Sequence, residues 1–352
     1  MRIASLTLRA TIAAAAVALP ALFAAPASAG DYVLAQCDSA NRSYDEARFD
    51  RTTGAYYEME RGCSSATQQN ALRIDNLAAA PVAAEGRIRF SAPEGTGVTG
   101  VSVSASLRSD AGHASRLSFL DAAGNQNGRI ATGPDEPGGF QHYSQKLDGV
   151  GRAGFAALLV CAEQRPCPES EQARTAIRDV RITLRDRVAP TLTPSGSLLA
   201  GGWVRGSRSL LVSAADVGAG VRTIDVRAGS GSASIAPSRT LPCATIGSTG
   251  MVSRSVPCPR STSAQATVDT AKWPFVNGAN PVSICATDYG TSPNRTCATR
   301  TVNVDNAAPS GAFRPVSEED PELIVADLTD VHSGVGAARI AYRALSGGDW
   351  VE

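Results

Sequence analysis

The sequence is poor in lysine, histidine and aromatic rings. Lys146 and Lys272 are its only lysines, so nearly all of its 33 basic residues are arginine, and 33 acidic residues match them. The two signs are interspersed. No basic stripe marks a nucleic-acid surface, and no long run of one sign reads as a charged tail. The three histidines, at 113, 142 and 332, lie far from the cysteines along the chain, which argues against zinc sites. There is no Gly-x-Ser-x-Gly elbow, no His-Glu-x-x-His pair and no phosphate-binding glycine loop. No catalytic residue is therefore assigned, and no cofactor is expected. Asp110 precedes His113 by three positions, but without a nucleophile nearby His113 reads as a loop histidine. Beyond residue 30 no apolar run is long enough to cross a bilayer. No segment carries a sustained helical period either.

What is present begins with a leader. Arg2 and Arg9 precede an alanine-rich apolar stretch, and Ala27-Ser28-Ala29 supplies small residues at a cleavage site. This is the layout of a secretory signal peptide, with cleavage expected after Ala29 and a secreted or cell-surface destination. Without Arg2 and Arg9 the chain has 31 basic residues against 33 acidic ones. An oxidising compartment permits disulfides among the eight cysteines. Four lie before Asp186 and four after it, so pairs are expected within modules, and the simplest scheme, supported by short spans, joins neighbours: Cys37–Cys63, Cys161–Cys167, Cys243–Cys258 and Cys285–Cys297. Each bridge is expected to add roughly 2–4 kcal/mol.

Strand signals dominate the rest. Residues 86–90 (GRIRF) alternate Ile88 and Phe90 with arginine, and residues 100–107 place Val101, Val103, Ala105 and Leu107 on one face. Residues 154–162 (GFAALLVCA) are apolar throughout, as in a central strand. The reading is all-β: tandem β-sandwiches, with a jelly-roll-like module over 30–187, a second sandwich over 188–305 and a partial repeat over 306–352.

The seams between these units repeat. DRVAP at 186–190 returns as DNAAP at 305–309. Each is followed by a strand and an Asp-led turn, Asp216 with Gly220-Val221 and Asp330 with Ser333-Gly334-Val335. A late turn follows at Ala286-Thr287-Asp288, with Gly290 and Asn294. In these residues the chain resembles the bacterial immunoglobulin-like repeats of secreted and surface proteins, over roughly Asp186 to Glu352. The first module is similar to the lectin- or glucanase-like sandwiches that precede such repeats. From Asp305 onward 48 residues remain, about half an immunoglobulin-like unit. The sequence therefore predicts that the chain is a fragment of a longer protein or that its last segment is poorly ordered.

The candidate ligand-binding residues are the aromatic and polar groups of GAYYEME and PGGFQHYSQ: Tyr56, Tyr57, Phe140, His142 and Tyr143. Sugars are held by aromatic faces beside polar groups. No metal site is assigned. Asp216, Asp288, Asp305 and Asp330 are the residues that would hold calcium, although an aspartate closing its own turn is the simpler expectation. The expected function is a non-enzymatic extracellular protein whose N-terminal module binds a ligand such as a glycan, or another surface protein, and is carried on immunoglobulin-like spacers. The alternatives are a secreted carbohydrate-active enzyme using acid pairs such as Glu58/Glu60 or Asp135/Glu136, and a purely structural surface protein.

Overall fold

Period-two alternation puts every second side chain on one face of a strand, and hiding that face requires a second sheet. The computed structural model describes residues 30–352 apart from 53, 64–70, 135–138, 150, 316–317, 319–323, 342, 344–346 and 352. The expected signal peptide lies outside the described residues. Among those residues no helix is long and apolar enough to cross a membrane, and the structure is essentially all β.

The first sandwich contains β1 (Gly30–Gln36), β2 (Arg48–Arg51), β3 (Tyr57–Arg61), β4 (Leu72–Asn76), β5 (Glu85–Ser91), β6 (Thr96–Arg108), β7 (His113–Leu120), β8 (Gln126–Thr132), β9 (Gln141–Lys146), β10 (Gly154–Cys161) and β11 (Arg174–Asp186). One sheet is built on the long strand β11. Its C-terminal half pairs with β1 and its N-terminal half with β4, which in turn pairs with β3. Along the other side of β11 run β6 and then β9. The opposing sheet has the order β2-β5-β10-β7-β8. From β5 to β11 the chain passes repeatedly between the two sheets, as a jelly-roll sandwich does.

The alternating runs supply the core. Ile88 and Phe90 of β5, Val101, Val103, Ala105 and Leu107 of β6, and Phe155 and Leu159 of β10 are all buried in one cluster. Phe90 stacks on Phe155 with centroids 6.2 Å apart. Each large apolar side chain buried this way contributes roughly 1.5–3 kcal/mol. β10 is buried on both faces. Its outward residue Leu158 stands level with Arg87 and Arg116 on the neighbouring strands and packs with Leu120 and Ala156. His113 is not in a loop: it opens β7, buried, with Nδ1 at 3.1 Å from the Tyr57 hydroxyl and Nε2 at 3.0 Å from the Pro168 carbonyl.

The second sandwich contains β12 (Thr191–Ser195), β13 (Trp203–Val204), β14 (Ser207–Ala215), β15 (Val221–Ala228), β16 (Ala233–Ser234), β17 (Arg239–Thr240), β18 (Met251–Val252), β19 (Ser261–Asp269), β20 (Gly278–Asp288) and β21 (Arg295–Val304). One sheet is β12-β14-β19; the other is β13-β21-β20-β15, with β16 and β17 on the free edge of β15. First, second and late strands in one sheet, with a closing hairpin beside the middle strand in the other, is an immunoglobulin-like arrangement. Its own core includes Leu210, Val212, Ile224, Val226, Ile284 and Val302. A hairpin of β22 (Ser310–Phe313) and β23 (Ala326–Thr329) then repeats the β12–β14 pairing.

All four disulfides join chain neighbours: Cys37–Cys63, Cys161–Cys167, Cys243–Cys258 and Cys285–Cys297. Cys285 and Cys297 lie opposite each other on adjacent strands β20 and β21. The bridge thus clips a hairpin rather than crossing between sheets as in antibody domains.

The two sandwiches touch beyond their short seam: the excursion between β17 and β19 crosses into the first sandwich. Its strand β18 pairs in parallel with β1, Val33 opposite Met251 and Leu34 opposite Val252. Around it Tyr32 donates to the Ser255 carbonyl at 2.7 Å, Gln36 Nε2 to the Ser253 carbonyl at 2.8 Å, and Ser255 to Glu46 at 2.6 Å. Val252, Ala219, Cys258 and Tyr289 belong to the apolar cluster of the first sandwich, and Tyr289 meets Tyr32 edge to face at 6.2 Å. The physical reason is that β1 would otherwise be an exposed edge with free backbone groups.

Two outcomes follow from this architecture. A chain of residues 30–187 alone leaves the β1 edge bare; it is expected to melt at a lower temperature than residues 30–305 and to self-associate by size-exclusion chromatography. A monomer of equal stability would show that β18 is dispensable. Thiol labelling of the unfolded protein is expected to find no reactive cysteine before reduction and eight after it.

Candidate functional site

Polar side chains gather at the seam between the sandwiches and on the outer face of the sheet built on β11.

At the seam, Asp186 is the last residue of β11, Asp216 follows β14, and Asp288 is the last residue of β20. Strand ends converge there, so three aspartates remote in sequence meet. All three are buried, and one carboxylate oxygen from each lies within 4.8 Å of the others. Asp186 accepts the amide of Val188 at 2.9 Å, closing its own turn, and that of Ala219 at 2.6 Å, in the second sandwich. Asp216 accepts the Gly220 amide at 2.7 Å. Asp288 accepts both the backbone amide (2.8 Å) and the side-chain amide (2.7 Å) of Asn294. A Cβ at Gly218 would collide with the Asp186 carboxylate, so a glycine is required there. Burial, with the charge of Asp186 behind it, pushes Asp216 up to about 6. Asp288 goes up to about 8, raised by burial and by Asp186 against the opposing pull of Asn294. Burial raises Asp186 as well. These shifts mark negative charge held away from water.

The second seam repeats the hydrogen bonds. Asp305 accepts the amides of Ala307 and Ser333, both at 3.0 Å, and Asp330 accepts that of Gly334 at 3.2 Å. Asp216, Asp305 and Asp330 therefore do close turns. Of the four calcium candidates, Asp216 and Asp288 meet in a group of three acids, and the residue that joins them is Asp186. The recurrence of Asp-x-x-x-Pro pointed to Asp186, but only as a seam marker.

The five ligand-binding candidates divide between opposite edges of one sheet, in the order β3-β4-β11-β6-β9. Tyr57 is not available to a ligand. It opens β3 facing inward, is buried, and donates its hydroxyl to the Ala84 carbonyl at 3.0 Å. Tyr56 is half-buried against the core. Tyr143 lies opposite the buried Val103 and packs inward. Phe140 and His142 remain on the outer side. The Arg178 guanidinium sits 4.1 Å from the Phe140 ring centre. His142, Ser104 and Arg178 occupy one rung across β9, β6 and β11, and Ser144, Ser102 and Arg181 the next. His142 Nε2 lies 3.4 Å from Ser102 Oγ. Of the acid pairs, Glu60 is bound to Arg73 at 2.6 Å, and Asp135 and Glu136 lie outside the described residues.

This shelf ends in a cleft of about 250 Å³ floored by the Cys37–Cys63 bridge and walled by Asp38, Arg42, Arg178 and Asp179. Asp38 is buried and fixed by the Ala40 amide and by Arg181, each at 2.8 Å. The β11 bulge between Arg178 and Arg181 shapes the wall. Cys37 and Asp179 both have φ of 49°, a left-handed conformation that side chains resist. Sequence reading missed Asp38, Arg42, Arg178 and Asp179, because a bulge leaves no signature in residue type. A wider groove of about 860 Å³ over the outer face of β15 has no aromatic ring in its lining.

No family model matches the chain, and no curated protein resembles it in sequence. Among solved structures it aligns with the glycoside hydrolase domain of Endo-D from Streptococcus pneumoniae R6, at 11% identity and a TM-score of 0.24, over 73% of this chain and 37% of that one. It also aligns with the GH2 beta-galacturonidase from Eisenbergiella tayi bound to galacturonate, at 6% identity and a TM-score of 0.19, over 80% of this chain and 46% of that one. The chain spans less than half the length of either, and likeness at this level carries no argument about fold or function.

Proposed function

We propose that this is a secreted or cell-surface, non-catalytic protein that binds a glycan on the outer face of its first sandwich, with the immunoglobulin-like unit as a rigid mount. The observation that carries the reading is the shelf of Phe140, Arg178, Ser104 and His142 running into the cleft beside Asp38, Arg42 and Asp179. It combines one aromatic face with hydroxyl, guanidinium, imidazole and carboxylate groups, the mixture that hydroxyl-rich rings require. The acids in the cleft are already engaged: Asp38 by Arg181 and a backbone amide, Asp179 by Arg178 at 3.7 Å. That favours holding a ligand over cleaving one, since glycoside cleavage needs two free carboxyl groups facing each other. The four disulfides suit an extracellular setting.

The test uses residues 30–352, because β18 completes the sheet. On a glycan array the protein is expected to bind a restricted set of glycans without turning them over. Arg178→Ala and His142→Ala should each weaken binding about tenfold or more, given roughly 1.4 kcal/mol per contact, while Tyr56→Phe leaves it unchanged. Absence of binding at millimolar glycan, or binding indifferent to both alanine variants, would sink the reading. Release of reducing sugar would favour the enzyme alternative.

A further inference from the structure

We propose that Asp186, Asp216 and Asp288, together with the side-chain oxygen of Asn294, form a calcium site that ties the first sandwich to the second. The argument begins with what the buried acids lack. Among the described residues, none of the three carboxylates takes part in a salt bridge. The nearby Arg260 points its guanidinium at the Val217 carbonyl, 3.0 Å away. Three like charges in one buried pocket repel strongly unless a cation or protons neutralise them.

A second observation separates these choices. Two buried oxygens have no donor: Asp216 Oδ1, and Oδ1 of Asn294, whose backbone and side-chain nitrogens bind Asp288; both side chains are at least nine-tenths buried. The Asn294 amide is oriented without ambiguity. Its nitrogen faces three acceptors, Asp288 Oδ2, the Asp186 carbonyl and the Val188 carbonyl, so its oxygen is the unsatisfied end. A buried acceptor without a donor costs roughly 1–3 kcal/mol. A proton shared between acids would leave the Asn294 oxygen unsatisfied, whereas a cation can take it together with the carboxylates.

The donor set selects the ion. All candidate ligands are oxygens and every cysteine is in a disulfide, which suits a hard cation rather than zinc or copper. Calcium–oxygen distances of about 2.3–2.6 Å allow two ligands to stand up to ~5 Å apart. The 4.8 Å limit on the three carboxylate oxygens therefore lets them share one ion. Magnesium demands a tighter and more regular octahedron. Because Asp186 ends the last strand of one sandwich and Asp216 and Asp288 belong to the other, the ion would lock their relative orientation.

The experiment uses residues 30–352 stripped with chelator. Adding millimolar Ca²⁺ is expected to raise the melting temperature by about 5 °C or more, since a ligand bound only by the folded state stabilises it. NaCl of equal ionic strength should not do so. Asp216→Asn keeps an acceptor for Gly220 and removes one buried charge. It is expected to melt no lower than wild type without calcium, to lose the calcium shift, and to bind one fewer Ca²⁺ in equilibrium dialysis. Should that variant misfold, terbium luminescence excited through tyrosine is read on the unaltered chain, where calcium is expected to displace the signal. No bound calcium at millimolar concentration, an equal shift with NaCl, or an Asp216→Asn protein that still binds the full complement overturns the proposal.

Discussion

Asp186 ends the last strand of the first sandwich with its side chain already inside the second. One carboxylate oxygen takes the amide of Val188 and the other that of Ala219, while its own carbonyl receives the Asn294 side chain. These bonds hold the turn after β14 and the loop before β21 against the end of β11, and so set the angle between the sandwiches. With Asp186 so placed, Cys258 lies against Ala219 and the excursion that it closes with Cys243 is aimed at β1. Both sandwiches thus depend on one buried carboxylate whose hydrogen bonds cross between them.

The strand that crosses solves a problem of edges. β1 pairs with β11 on one side only, and an uncovered edge invites association with other chains. β18 covers part of that edge, and the Tyr32–Tyr289 contact and the Thr291–Asp31 hydrogen bond seal the rest of the joint. In the sheet order β18-β1-β11-β6-β9 the joint occupies one side, leaving the rungs of β11, β6 and β9 exposed on the other.

The second seam shows which parts of this design are repeated. Asp305 and Asp330 reproduce the turn-closing bonds of Asp186 and Asp216. In addition Trp203 contacts His332, ring centres 5.9 Å apart. Asp305 is held below the usual carboxylate range by Ser333, its side chain first and then its amide, whereas burial moves Asp186 the other way. The same motif therefore carries a carboxylate pulled below its usual range at one seam and one pushed above it at the other.

Much of the scaffold was legible in the order of residues. Alternation in 86–90 and 100–107 named Ile88, Phe90, Val101 and Val103 as core, because a strand presents alternate residues to one face. Cysteine spacing led to the four bridges, since short loops favour neighbours. The repeated Asp-x-x-x-Pro marked both seams, because an aspartate can close a turn locally. What depended on long-range packing was not legible. Tyr56 and Tyr57 look alike in sequence, yet the inward pleat of β3 buries one against His113. Arg178 and Asp179 gained their place beside Asp38 from a bulge, and Met251-Val252 became a strand of the other sandwich. Asp186, Asp216, Asp288 and Asn294 lie in four separate segments. The sequence by itself determined the strands, bridges and turns, which rest on neighbours along the chain. Only the tertiary structure decided the buried acid cluster and the exposed shelf, because both are made where strand ends and strand rungs from distant segments meet.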